Sequence, residues 1–187
     1  MEYTYLGGTG VKVSKLCFGT MSFGGDADEQ TSAALYKRCR DAGINFFDCA
    51  NVYNGGAAEK ILGQLAGGHR SEVVITSKVY FPTSQDINAR GGSRKHIRDA
   101  VDASLKRLNT DYIDVYFLHR FDDFTPLPEV LRAMDDLVRQ GKILYPAASN
   151  FAAWQVAKAL GISAAHDLAR FECLQPMYNL VKRQAEV

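Results

Sequence analysis

The stretch Asn45-Phe-Phe-Asp48-Cys-Ala-Asn-Val-Tyr53-Asn54 decides how the rest of the chain is read. Ile44 to Phe47 is an apolar, strand-like run that ends in a carboxylate. A phenol, Tyr53, follows in a turn carrying Gly55 and Gly56 that leads into a helix. Acid and phenol therefore share one strand mouth. If further strands lie parallel to this one, their C-terminal ends open onto the same face, and charged residues at those ends converge on one pocket.

Outward from this stretch, the same grammar recurs in both directions. Towards the N-terminus, residues 3–8 and 11–15 read as two short strands around Gly7-Gly8-Thr9-Gly10, a β-hairpin spanning 3–15 that caps the domain. Leu16-Cys-Phe-Gly-Thr20 is a first buried strand, followed by the Gly24-Gly25 loop and a helix over 29–42, where Ala33, Leu35, Cys39 and Ala42 keep helical spacing up to Gly43. Towards the C-terminus the pattern predicts helix 57–66, strand 72–78, helix 94–108, strand 112–118, helix 127–140, strand 142–148, helix 152–160 and strand 171–174. Such alternation builds a parallel sheet with crossover helices. Residues 80–93, with Pro82, Gly91 and Gly92, are a long loop on the functional face.

An open doubly wound sheet and a closed (β/α)8 TIM barrel both fit this order. A dinucleotide-binding sheet would carry G-x-G-x-x-G after its first strand. Here that position reads Gly19-Thr-Met-Ser-Phe-Gly24-Gly25, which favours the barrel. Complete barrels need eight strands, so the expectation for 1–187 is a single, partial TIM-barrel domain of about six βα units, a chain incomplete at its C-terminus.

Composition narrows the function. With 47% apolar and 23% charged residues among 187, the chain is an ordinary globular one. The formal net charge is +1, from 22 basic and 21 acidic residues without runs of either sign, so no field is built for nucleic acid or an anionic membrane. A small-molecule partner is expected. Cys17, Cys39, Cys49 and Cys173 are scattered without C-x-x-C, which argues against a zinc site or a disulfide framework and for a reducing, cytoplasmic location. The N-terminus shows no signal-peptide pattern and no apolar run is long enough to span a membrane.

Side chains alternate faces along a strand. Asp48 falls on the face of Ile44 and Phe46, Lys78 on that of Val74 and Thr76, and His119 on that of Ile113, Val115 and Phe117. Each is a polar group at the end of a different strand, one βα unit apart. The four residue types make joint sense: a Lys ammonium beside a phenol lowers its pKa by stabilising the phenolate, and Asp48 holds the ammonium in place. Tyr53 then donates a proton to a carbonyl oxygen that His119 positions, general-acid catalysis that suits hydride transfer. The bland alternative is a rim salt bridge between Asp48 and Lys78 with Tyr53 as a loop aromatic. A metal-dependent hydrolase is disfavoured, since Asp48 and His119 lack further ligands. Ser149-Asn150 after the fifth strand reads as a helix entry or a carboxamide site, and Gln175 follows the sixth.

These residues and their surroundings resemble the aldo-keto reductase family. The resemblance rests on Phe47-Asp-Cys-Ala-Asn-Val-Tyr53 with Glu59 and Ile61-Leu-Gly63, on Ser77-Lys78, on Leu118-His119, on Gly141-Lys142 and on Ser149-Asn150-Phe151; the opening from Leu6 to Met21 is similar to the family's hairpin cap and first strand. It implies a (β/α)8 barrel that binds NADPH, with NADH as the alternative, and reduces aldehydes or ketones to alcohols, with Asp48, Tyr53, Lys78 and His119 as the catalytic tetrad. It also implies that Ser149, Asn150 and Gln175 hold the nicotinamide carboxamide, with Met21 and Asp48 beside the cofactor. Phe23, Tyr80, Phe81 and Phe121 are the candidate aromatics of the substrate pocket. Asn54 and Ala58 depart mildly from the family pattern, Pro146 threatens a bulge in the fifth strand, and the basic loop that clamps the adenosine phosphate in the family is not among these residues. A competing expectation follows: a nucleotide-binding or regulatory module of the same fold with little or no turnover. Open barrel edges are expected to make the chain self-associate.

Overall fold

A computed structural model describes residues 1–186. Two antiparallel strands, β1 (Tyr3–Tyr5) and β2 (Lys12–Ser14), precede a parallel sheet of six: β3 (Phe18–Gly19), β4 (Phe46–Asp48), β5 (Val74–Val79), β6 (Ile113–Leu118), β7 (Ile143–Ser149) and β8 (Cys173–Gln175). Spatial order equals chain order, β3 to β8, so every connection is the one-step crossover of a barrel and the sheet has no switch point. Helices α1 (Glu29–Asp41), α2 (Ala57–Ala66), α3 (Arg94–Leu108), α4 (Leu127–Arg139) and α5 (Ala153–Ala165) fill the connections from β3 to β8. The result is a curled half-barrel of the (β/α)8 type with a hairpin at its N-terminal end.

Local chemistry sets the helix ends. Asp28 caps α1 by accepting the Thr31 N–H (2.8 Å), and Ser93 caps α3 through the His96 N–H (3.3 Å). Asn109 closes α3 in the left-handed conformation, φ 50°. Helix α5 runs past Gly161 to Ala165, five residues beyond the predicted end. A helical glycine costs about 1 kcal/mol, which the packing of Ile162 with Leu127, Leu131, Ala159 and Phe171 offsets.

The strands sort their side chains as their alternation requires. Val74, Val115, Phe117 and Ala147 face the barrel interior, where Leu6 and Val13 of the hairpin close the floor. Phe47, Ile75, Tyr116 and Leu118 face outward into the helix layer. Phe47 and Ile75 are fully buried there, each contributing about 1.5–3 kcal/mol. Ile113, at the start of β6, packs with the outer cluster and not with the interior one. Asn45 fastens the floor to the sheet: its Oδ1 accepts from the Ser14 N–H (2.7 Å) and its Nδ2 donates to the Lys12 carbonyl (3.0 Å).

Two local expectations change. The first strand shrinks from 16–20 to Phe18–Gly19, because it pairs only with β4, and Leu16 is left exposed. Pro146 causes no bulge: β7 keeps one register along β6, with Tyr116 opposite Pro146 and Phe117 opposite Ala147. Its carbonyl accepts from Glu172 (3.0 Å), so the missing N–H faces the β8 side just ahead of Cys173, where the ladder is only beginning.

Candidate active site

The half-barrel brings Asp48, Tyr53, Lys78 and His119 together at the C-terminal mouth of β4, β5 and β6. Asp48 ends β4, Lys78 is the penultimate residue of β5, and His119 follows β6, its N–H held by the Val79 carbonyl at 3.0 Å. Tyr53 opens a short 3₁₀ turn, Tyr53–Gly56, in which Asn54 and Gly55 take positive φ (48° and 63°). That left-handed pair turns the chain back over the mouth and is cheap only for residues such as Asn and Gly.

Lys78 is the centre of the constellation. It is fully buried, and its ammonium donates to Asp48 Oδ1 (2.7 Å), Asp48 Oδ2 (2.6 Å), the Cys49 carbonyl (2.9 Å) and Tyr53 Oη (3.3 Å). Three N–H bonds are thus shared among a carboxylate, a carbonyl and the phenol oxygen. Because Tyr53 Oη accepts here, its own proton remains to be given elsewhere. Thr76, one turn of the pleat below Lys78, donates to Asp48 Oδ1 at 2.7 Å and fixes the carboxylate from the other side.

Burial acts against the charged forms. Tyr53 lies above its ordinary value, since burial raises it and Asp48 adds to that, while the Lys78 ammonium pulls down by less. The expected net lowering by Lys78 does not survive the desolvation. His119 is pushed down to about 4 by burial, with Lys78 as the next cause, so the imidazole is neutral at pH 7. Its Nδ1 has no protein partner among the described residues. Cys49, beside Asp48, is raised to about 12 by burial, which leaves a thiol and not a nucleophile.

The aromatic candidates divide. Phe81 meets the His119 ring at 5.0 Å and so stands beside the tetrad, while Tyr80 packs on Phe81 at 5.4 Å. Phe23 does not line a pocket: it is fully buried in the outer core against Phe18, because the loop after β3 folds outward under α1 and α2. Phe121 packs on Phe151 (5.2 Å) and Trp154 (6.1 Å) against the cluster between α4 and α5. Met21 is largely exposed near the mouth of β3, its carbonyl held by Asn54 Nδ2 at 2.8 Å.

Ser149 and Asn150 follow a different logic from a helix cap, since α5 begins only at Ala153. The Ser149 hydroxyl donates to the Gln175 carbonyl (2.9 Å), and Asn150, at φ 56°, donates its Nδ2 to the His119 carbonyl and Ser149 Oγ, both at 3.0 Å. The mouths of β6, β7 and β8 are laced together by these bonds. Asn150 Oδ1 and the Gln175 side-chain amide have no protein partner among the described residues, so one acceptor and one amide are available to a carboxamide.

Sequence reasoning missed three residues that shape this mouth. Thr76 shares the face of Lys78, and that parity was the available signal. Asn54 holds both the Met21 and Phe23 carbonyls (2.8 and 2.9 Å). Asp122 ties the 80–93 loop to the β6–α4 connection by accepting from Gly92 N–H and Thr125 Oγ1, both at 2.7 Å; no local pattern announces that contact.

The profile of the Aldo/keto reductase family matches residues 15–187. A Bacillus subtilis (strain 168) protein named as an uncharacterized oxidoreductase, YrpG, is 43% identical over all of this chain and 61% of its own length. A probable voltage-gated potassium channel subunit beta of Oryza sativa subsp. japonica is 42% identical over 98% of the chain and 57% of its own length. Versiconal hemiacetal acetate reductase of Aspergillus parasiticus is 36% identical over the whole chain and 62% of its own. The chain therefore spans about 57–62% of these relatives.

Proposed function

The chain belongs to the aldo/keto reductase family, and on that premise we propose that it carries the catalytic half of an NADPH-dependent carbonyl reductase that converts aldehydes or ketones to alcohols. An oxidoreductase role is supported by the family and by the names of its relatives. The observation that carries the finer reading is the Lys78 ammonium, held by Asp48 at 2.6–2.7 Å and pointed at Tyr53 Oη at 3.3 Å.

NADPH, when bound, supplies the hydride. The residues that fit its carboxamide are Asn150, through the unpartnered Oδ1, and Gln175, with Ser149 bracing both strand mouths. This chain's own side chains do the rest. Tyr53 gives its proton to the carbonyl oxygen, and the phenolate left behind is stabilised by the Lys78 N–H already aimed at it. Neutral His119 orients the oxygen as a hydrogen-bond donor. Asp48 and Thr76 hold the ammonium where it is needed. Phe81, with Tyr80 packed on it, walls the mouth beside His119, which suits apolar or aromatic carbonyls. We place this activity in the cytoplasm, in keeping with four free thiols; among the described residues no helix is long and apolar enough to cross a membrane.

Tyr53→Phe tests the reading. It removes the proton donor and keeps the ring, so NADPH oxidation with a panel of aldehydes should fall about 10²–10⁴-fold while nucleotide binding, read by fluorescence quenching, persists. An unchanged rate removes Tyr53 from the chemistry. A second reading, a regulatory module that binds nucleotide without turnover, is favoured by the 42% identity to a probable potassium channel subunit beta. Binding of NADPH without oxidation by any carbonyl of the panel would select it.

A further inference from the structure

Of the four residues at the strand mouth, Tyr53 is the one that the sheet does not hold. Asp48 and Lys78 lie in adjoining strands, and the ladder between them runs on through the Cys49 N–H to the Thr76 carbonyl (3.0 Å) and the Asn51 N–H to the Lys78 carbonyl (3.2 Å). Tyr53 stands beyond the last of these bonds. Its contact with Lys78, at 3.3 Å, is the longest of the four that the ammonium makes. On one flank Asn54 ties the Tyr53 turn to the β3–α1 connection, through the carbonyls of Met21 and Phe23. A displacement of about 1 Å away from β5 would still carry the phenol oxygen out of hydrogen-bond range of the ammonium.

Glu59 constrains the turn on that second flank. Its Oε1 accepts from Ser77 Oγ at 2.5 Å, which among the described residues is the first hydrogen bond between the chain after Tyr53 and β5. Ser77 is the residue before Lys78, on the opposite face of the strand. Glu59 Oε2 accepts from Arg107 Nε, also at 2.5 Å. Arg107 in turn packs on the turn itself: a Cβ added at Gly56, where φ is 91°, would lie 2.7 Å from Arg107 Cδ and 3.0 Å from its Nε. One carboxylate thus joins the strand that carries Lys78, the helix that follows Tyr53 and the side chain that presses on the Tyr53 turn. Glu59 and Ser77 are both fully buried. Stability alone does not call for this arrangement, since apolar residues of similar volume often replace a buried ion pair without loss, whereas directed bonds from a carboxylate fix how elements register.

We propose that Glu59 is a positioning residue for the proton donor, its carboxylate keeping Tyr53 Oη within reach of the Lys78 ammonium by way of Ser77 and Arg107. The catalytic consequence rests on the reductase reading above; the geometric one does not. Removing the Ser77 hydroxyl releases α2 and the turn from β5, while Glu59 keeps Arg107 and no charge is stranded. The phenol then moves away from the one cation beside it. The other groups that face Tyr53 are Asp48, the Cys49 thiol and, with ring centroids 6.0 Å away, neutral His119, and none of them replaces that charge. Ionisation of Tyr53 must therefore shift upward.

The test follows Tyr53 by NMR in protein carrying ¹³Cζ-labelled tyrosine, where Tyr53→Phe identifies its signal among the nine tyrosines. Two variants are titrated beside the wild type: Ser77→Ala, and the double variant Glu59→Leu/Arg107→Met, which replaces the ion pair by apolar groups and keeps the test decisive if the first fails to fold. In each, the Tyr53 midpoint should rise by about 0.5 unit or more while the urea midpoint of the double variant stays near that of the wild type. With NADPH and 4-nitrobenzaldehyde, kcat should fall about tenfold at an unchanged KM, within the ~10²-fold that a 1 Å misplacement can cost. A Tyr53 midpoint at or below the wild-type value in either folded variant would overturn the proposal. Raised midpoints in proteins that turn over no aldehyde would remove the reductase reading and leave the positioning role standing; wild-type midpoints in an active enzyme would do the reverse.

Discussion

At the scale of single residues, the decisive balance is between burial and the ammonium of Lys78. Tyr53 sits above the ordinary phenol value of about 10 because desolvation exceeds the pull of Lys78. The phenol is therefore protonated throughout the neutral and mildly alkaline range. His119, lowered to about 4, is neutral over the same interval. Carbonyl reduction should then be flat from about pH 5 to above pH 9, bounded below by protonation of His119 and above by ionisation of Tyr53. The sign for Lys78→Met follows: loss of the one nearby cation removes a lowering influence and leaves Asp48 unopposed, so the alkaline limb should move further up while the rate at pH 7 falls. Rates measured from pH 5 to 11 for both proteins check this. An alkaline limb that moves down in Lys78→Met would contradict the assigned coupling.

At the scale of elements, an ion pair between α2 and α3 backs the site. Glu59 of α2 is fully buried; its Oε1 accepts from Ser77 of β5 and its Oε2 from Arg107 of α3, both at 2.5 Å. Strand and two helices are joined by one carboxylate directly behind Lys78. The helices can approach because Gly63 faces the end of α3, where an added Cβ would lie 2.2 Å from the Leu108 carbonyl oxygen. Breaking such a pair from one side leaves a buried charge uncompensated, at about 3–5 kcal/mol. Arg107→Met should destabilise the fold by that order in urea denaturation, and Glu59→Gln in the same background should recover much of it. Additive losses in the double variant would show that the pair is not the linkage.

At the scale of the whole molecule, the sheet has two edges. Among the described residues, β3 pairs only with β4 and β8 only with β7. Beside β8 an apolar groove is lined by Phe151, Val156, Leu160, Leu174 and Met177, and Leu180 and Val181 are almost wholly exposed. Unpaired strand edges next to exposed apolar surface recruit other chains. Residues 1–187 as an isolated polypeptide should therefore self-associate, with a weight-average sedimentation coefficient that rises with concentration. Leu174→Lys, which puts a charge on the edge strand, should reduce that rise. A species that stays monomeric across the accessible concentrations would contradict it.

How much was legible in the chain depends on the range of the forces involved. The alternation of strands and helices, the boundaries of α2 and α3, and the inward parity of Asp48, Lys78 and Val115 were readable because periodicity and capping act within a few residues. The family resemblance was readable for the same reason, since its motifs are local runs. Tertiary structure alone decided the rest. It buried Phe23 in the outer core, sent Phe121 to α5, and set Thr76 and Asp122 on partners 28 and 30 residues away. It reversed the expected shift of Tyr53, because desolvation depends on everything packed around a group, and a sequence shows only the charges that could stand beside it. It also buried Asn51 and His96, residues 45 apart in the chain, beside one surface pocket between the long loop and α3, an arrangement set by the approach of a loop to a helix and by no spacing along the chain.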